Sequence, residues 1–186
     1  MELLTAILTR HSVPRVRPDP VPHVLIEQLL AAAVQAPNHH HNRPWRFVVL
    51  SGAARELLGE VMAAALAHRL PGSSPEVLEV ERKRPLRAPL LIAVGIDSPA
   101  DPKIVEVENI CAGAAAVENL LLAAYDLGLG AIWRTGAAAS EPSVKEFLGF
   151  RQDEHLIALV YLGYPEGEQA PYTRPSYSDR VTWMEE

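Results

Sequence analysis

The sequence predicts an α+β domain in which helices flank a sheet of four or five strands. Three observations carry that prediction. Four apolar runs have the length of strands and are bounded by glycine or proline. Longer alanine- and leucine-rich stretches between them place apolar residues at helical spacing. A chain of 186 residues also suits one domain with a single sizeable core.

The elements follow in order. Residues 2–10 read as a short helix, with Leu3, Leu4, Ile7 and Leu8 as an apolar stripe. A proline-rich loop covers 13–21. Pro22 suits the first turn of a second helix that runs to about Gln35, and Pro37 ends it. Residues 45–50 form a strand, 52–70 an alanine-rich helix, and 76–84 a charged helix closed by Pro85. Residues 89–96 (PLLIAVGI) form a strand apolar enough to be buried on both faces. The longest helix is expected over 104–127, burying Val107, Ile110, Ala114, Val117, Leu121 and Ala124. Small residues at 112–116 allow a neighbour to pack closely against it. A strand at 130–135, a short helix at 141–148 and a strand at 155–162 complete the pattern. The last twenty or so residues are proline-rich and irregular yet carry Tyr172, Tyr177 and Trp183, which implies docking on the domain itself or on a partner.

Composition excludes several roles. The content, 48% hydrophobic and 22% charged, is that of an ordinary globular protein. A net charge of −6 argues against a broad nucleic-acid surface. The longest uninterrupted apolar stretches, such as 120–124, fall short of a bilayer span, so no membrane association is expected. Glu2 and the lack of a cleavage-site pattern argue against a signal peptide. Cys111 is the only cysteine and sits in the long helix, read as buried; with no internal disulfide, a cytoplasmic setting is expected.

Three stretches carry chemistry. Arg10-His11-Ser12 ends the first helix and offers a guanidinium fork and a hydroxyl, which suit phosphate oxygens. His39, His40 and His41 lie between Pro37 and Trp45. Zinc needs three or four ligands on one centre, which three adjacent residues of an extended loop do not supply, and no CxxC, HExxH or second cluster completes a set. A loop that faces a ligand is the better reading. The charged run 79–87 (EVERKRPLR) reads as a solvated face. No GxGxxG follows a strand and no Walker A sequence occurs, so no separate nucleotide-binding domain is visible.

The ordered set RHS at 10–12, APNHHHNRPWRFVVL at 36–50, GLGAIWRTG at 128–136 and LVYLGYPEG at 159–167 resembles the nitroreductase family of FMN-dependent enzymes. It is closest to short members with a histidine after the Ala-Pro-Asp/Asn triplet. The resemblance spans nearly the whole chain. It implies a three-layer fold with a mostly antiparallel sheet, one FMN-binding domain over 1–186, and a C-terminal tail exchanged between subunits. It further implies a homodimer with two FMN sites at the interface, NADH or NADPH as electron donor, and a nitroaromatic, quinone or similar acceptor. Arg10, His11, Ser12 and Arg174 would hold the FMN tail. Ala131, Ile132 and Trp133 would lie beside the ring, or Trp133 would serve as simple core packing. Gln35 and His39 would complete the site, with His39 coming from the other subunit, and His39 or Arg134 would stabilise the reduced ring at its N1–C2=O edge. Arg43 stands where many relatives have glutamine, which puts acceptor choice in question. The alternative is a non-catalytic protein that binds FMN or a metal through His39–His41.

Overall fold

The structure, a computed structural model, describes residues 2–99, 101–169 and 172–185; the tail positions 170, 171 and 186 lie outside them. In chain order the elements are α1 (Leu3–Thr9), α2 (His23–Ala33), β1 (Trp45–Ser51), α3 (Ala53–Arg69), α4 (Pro75–Lys83), β2 (Leu90–Ile96), α5 (Glu106–Asp126), β3 (Gly130–Arg134), α6 (Pro142–Phe147) and β4 (His155–Gly163). Short 3₁₀ turns occupy His39–His41, Arg84–Arg87, Ala137–Ser140 and Ser178–Arg180. Every sequence-predicted helix and strand forms, with ends shifted by a residue or two.

The four strands make one antiparallel sheet in the order β1-β2-β4-β3. β2 is central and buried throughout, as its apolar run requires. Alternate side chains point to opposite faces. Leu90, Ile92, Val94 and Ile96 join the core beneath α2 and α5, while Leu91 and Ala93 join the core beneath α3 and α6. The result is three layers, with β3 as an edge strand.

α5 packs across the first face. Gly113 suits this crossing, because a Cβ at that position would force the side chains of Ile96 and Ile157 to shift. The buried stripe of α5 is Asn109, Ala112, Gly113, Ala116, Val117, Leu120, Leu121 and Ala124. This corrects the expected stripe: Val107 is exposed, and so is Cys111. The expected stripe advances by 3.5 residues, which drifts about 20° per heptad from a straight helix, so it fits the second half of α5 and rotates off the core in the first. α5 is also long and apolar enough to cross a bilayer, but its buried side places it in the core.

The charged run is only partly a solvated face. Arg82 pairs with Glu60 and Glu79, and Lys83 with Glu79, on the surface. Glu81 and Pro85, however, are buried, and Arg84 and Arg87 turn toward a cavity. The tail does not bury its aromatics on its own domain: Tyr177 is 71% and Trp183 75% exposed.

Candidate functional site

The free edge of β3 organises one end of the site. The segment after α1 runs along it, and the Val13 N–H donates to the Ala131 carbonyl at 3.0 Å. Further along, Arg17 N–H donates to the Tyr164 carbonyl at 2.7 Å. In an antiparallel strand the N–H and C=O of alternate residues face the same side. Ala131 faces the free edge, so the backbone groups of Trp133 face it too. The Trp133 indole goes the other way: its Nε1–H donates to the Ile157 carbonyl at 3.0 Å, and the ring packs against the α5-side core. Trp133 therefore offers backbone, and its side chain is core packing. Ile132 points to the opposite core.

Two arginines are held at the segment that leads onto this edge. The Arg10 side chain is 18% exposed, and its Nε pairs with Glu118 Oε1 of α5 at 3.2 Å. That bond uses one donor and leaves both Nη groups. Arg174 comes from the tail and donates to the carbonyls of Leu8 (3.2 Å) and Arg10 (2.7 Å). A cation at the last carbonyls of a helix is favourable, and it fixes the tail here. His11 Nδ1 lies 3.2 Å from the Thr9 carbonyl oxygen, and Ser12 is exposed.

The histidines form a second centre. They make a 3₁₀ turn, where an extended loop was expected. His40, His41 and Arg43 have φ of +52°, +53° and +50°, in the left-handed region that costs L-residues about 1–2 kcal/mol each. Polar bonds hold the turn: Asn38 Oδ1 accepts from the Arg43 N–H at 2.9 Å, and Asn42 Nδ2 donates to Asn109 Oδ1 at 2.6 Å. Asn109, buried on α5, donates in turn to the Asp97 carbonyl at 3.2 Å. Burial, with Glu154 nearby, pushes the Asp97 carboxyl above its ordinary value. His39 lies 3.7 Å from Glu108 of α5, and its side chain is 56% exposed. Among the described residues, no three His, Cys, Asp or Glu side chains form a group that could hold a metal.

α5 measures the distance between the two centres. Arg10 meets it at Glu118 and His39 meets it at Glu108. Ten residues of helix span about 15 Å. One chain thus brings Arg10, His11, Ser12, Arg174 and the Ala131–Trp133 edge together, and leaves His39 apart. Gln35 follows α2, which is tied to Asn119 of α5 through the Ala32 carbonyl at 3.2 Å, and its Nε2 donates back to Ala31 at 3.3 Å. Sequence reasoning missed Glu118, which nothing distinguishes from any helix acid. It also missed the inward turn of Arg84 and Arg87, which Pro85 inside the basic run could have signalled.

Known proteins resemble this chain in sequence and fold. A family model described as the nitroreductase family matches residues 7–164. The chain belongs to the nitroreductase family. The Escherichia coli (strain K12) protein named "Putative NAD(P)H nitroreductase YdjA" is 31% identical over 167 residues, 89% of this chain and 90% of that one. The nitroreductase-like family protein from Bacillus cereus has the same fold, with a TM-score of 0.82, 24% identity, and coverage of 100% of this chain and 97% of that one. A Desulfovibrio desulfuricans structure, named a "putative nitroreductase in complex with FMN", is 25% identical with a TM-score of 0.77, covering 100% of this chain and 98% of that one. As in the sequence resemblance, the nitroreductase match runs from the Arg10 segment to the end of β4.

Proposed function

We propose that this nitroreductase-family chain is one FMN-binding domain of a homodimeric, cytoplasmic oxidoreductase. It takes electrons from NADH or NADPH and passes them to a nitroaromatic, quinone or similar small acceptor in a ping-pong sequence. The observation that carries this reading is that Arg10, held by Glu118, and Arg174, bound to the Leu8 and Arg10 carbonyls, belong to or dock on the segment that Val13 joins to the free edge of β3. The residues fit FMN. Its phosphate is close to a dianion, and two fixed cations with a free hydroxyl match it. Its ring carries a polar edge, and the Trp133 N–H and C=O at the strand edge can satisfy donors and acceptors there. When bound, FMN would supply the hydride chemistry.

The chain's own parts have separate tasks. Arg10 and Arg174 neutralise charge, and Glu118 orients Arg10. Bonds from Val13 to Ala131 and from Arg17 to Tyr164 hold the segment on the sheet edge. Apolar side chains on α1 (Leu3, Leu4, Leu8), α5 (Val107) and the tail (Tyr177, Trp183) are exposed in one chain and would be covered by a second copy. The second copy's His39 and Gln35 would then reach the Arg10 end of the first, and the tail would wrap its neighbour. The rival metal reading has no supporting cluster among the described residues.

Two experiments test this. The purified protein should show flavin absorbance, and denaturation should release FMN and not FAD. Colourless protein that takes up no added FMN would remove the proposal. For the shared site, Arg10→Ala and His39→Ala proteins, each inactive, are unfolded and refolded together. About half of the dimers are then mixed, each with one intact site of two, so about a quarter of wild-type activity should return. Mixed dimers on gel filtration without recovered activity would show that the two residues do not serve one site.

A further inference from the structure

Beyond β3 lies a cavity of about 320 Å³, of whose lining only Arg134 has been given a role above. Arg84 and Arg87, from the 3₁₀ turn after α4, and Arg134, the last residue of β3, all line it. Its apolar wall includes Met62 of α3 and Leu159 of β4, with the Tyr161 ring beside them. No acid lines it. Glu81 pairs with Arg84 at 3.0 Å from outside. Among the described residues, Arg87 and Arg134 form no ion pair; Arg134 lies over the Tyr161 ring at 5.9 Å. Three guanidinium groups against one neighbouring carboxylate leave an uncompensated positive concavity in a chain whose net charge is −6. Cations scattered for solubility would repel one another out of a shared hollow, whereas converging ones suit an anion.

We propose that Arg84, Arg87 and Arg134 form a subsite that recognises the carboxylate of an aromatic acceptor. The subsite rests on the flavin reading for its purpose, because Arg134 directly follows Trp133, whose backbone faces the proposed ring position. Size decides the class of ligand. About 320 Å³ is at the small end of ligand pockets, enough for one substituted ring and too little for a dinucleotide. Planar guanidinium forks match a carboxylate in bidentate fashion, and the apolar wall takes the ring. Tyr161 contributes a donor: burial pushes its hydroxyl above its ordinary value, and it has no hydrogen-bond partner among the described residues.

The test uses FMN-loaded protein and two probes of one shape, benzoate and benzamide, titrated calorimetrically. Charge-assisted hydrogen bonds predict that benzoate binds about tenfold or more tightly than benzamide. The double variant Arg87→Gln/Arg134→Gln should bring the two within about twofold, by the loss of those bonds. Circular dichroism checks that it is folded. In turnover, the ratio of kcat/KM for 4-nitrobenzoate over nitrobenzene should fall by a similar factor. Equal binding of the two probes, or a preference that survives in the folded variant, overturns the subsite. Benzoate binding confined to FMN-free protein assigns the arginines to the flavin and also overturns it. So does a variant that loses preference for NADPH over NADH while its nitrobenzoate ratio holds, because the anion is then the donor's phosphate. If the protein takes up no FMN, the flavin reading fails separately, and the benzoate titration of the protein as purified still decides the subsite.

Discussion

The Arg10 segment and the histidine turn both lean on α5, about 15 Å apart along the helix axis, yet they are built in opposite ways. The first lies extended along a strand edge, and its arginine is held by an acid. The second folds back on itself with three side-chain-bearing residues in the left-handed region, kept there by asparagine hydrogen bonds. One end spends its bonds on placing charge; the other spends them on holding an unfavourable backbone. Strain of this kind persists only where surrounding bonds over-determine it, and it gathers at sites that bind or switch.

The largest expected effect breaks the charged end. Arg10→Ala should weaken FMN binding by about 10- to 100-fold, the value of one charge-assisted hydrogen bond, read by flavin fluorescence on titration. An unchanged Kd would mean that Arg10 only braces α5.

Next comes the brace of the turn. Asn109→Leu removes the acceptor of Asn42 and the donor to the Asp97 carbonyl, and should cost about 2 kcal/mol, or about 4–8 °C in Tm. Hydrogen exchange at the amides of Asn42 and Arg43 should quicken while that of Val13 holds. If all three quicken alike, the two regions are one cooperative unit and the contrast fails.

A smaller effect of opposite sign should follow from His40→Gly with Arg43→Gly. Glycine accepts the positive φ, so the pair should raise Tm by a few degrees, about 1 kcal/mol after the entropy that glycine loses. A fall in Tm would show that the turn is not strained.

The smallest concerns Asp97. Its carboxyl sits above the ordinary value because of burial and then of Glu154, so the folded state holds its proton longer than the unfolded state does. Stability should therefore fall as pH rises from the ordinary aspartate range through the raised value. Asp97→Asn should flatten that slope, and at pH 7 the variant should be as stable as wild type or slightly more so. A steeper slope in the variant would reverse the assignment.

Much of this was legible in the residues. The strands announced themselves as short runs between glycines and prolines, and β2 most plainly, because a strand buried on both faces must be apolar along its length. Arg10 and Ser12 were marked by a guanidinium and a hydroxyl at the end of a helix, and Ala131 by the resemblance; the bond from Val13 to Ala131 joins the two segments. Trp133 was legible only as a position. Whether its indole or its backbone faces a ligand depends on the phase of β3 against β4, which a five-residue apolar strand does not reveal. The buried face of α5 was misjudged in its first half only: the expected stripe advances by 3.5 residues and rotates off the core there, where the polar Asn109 is on the buried side.

By itself the sequence determined the order and type of the elements, the three-layer class and the family, since these follow from local periodicity, turn residues and motif order. Only the tertiary structure decided which side of each element meets the core, and so which charges converge. Arg84, Arg87 and Arg134 stand up to fifty residues apart in the chain and meet because Pro85 and its buried neighbour Glu81 anchor the basic run beside the end of β3. Convergence of like charges is a property of packing in three dimensions, and no spacing along the chain encodes it.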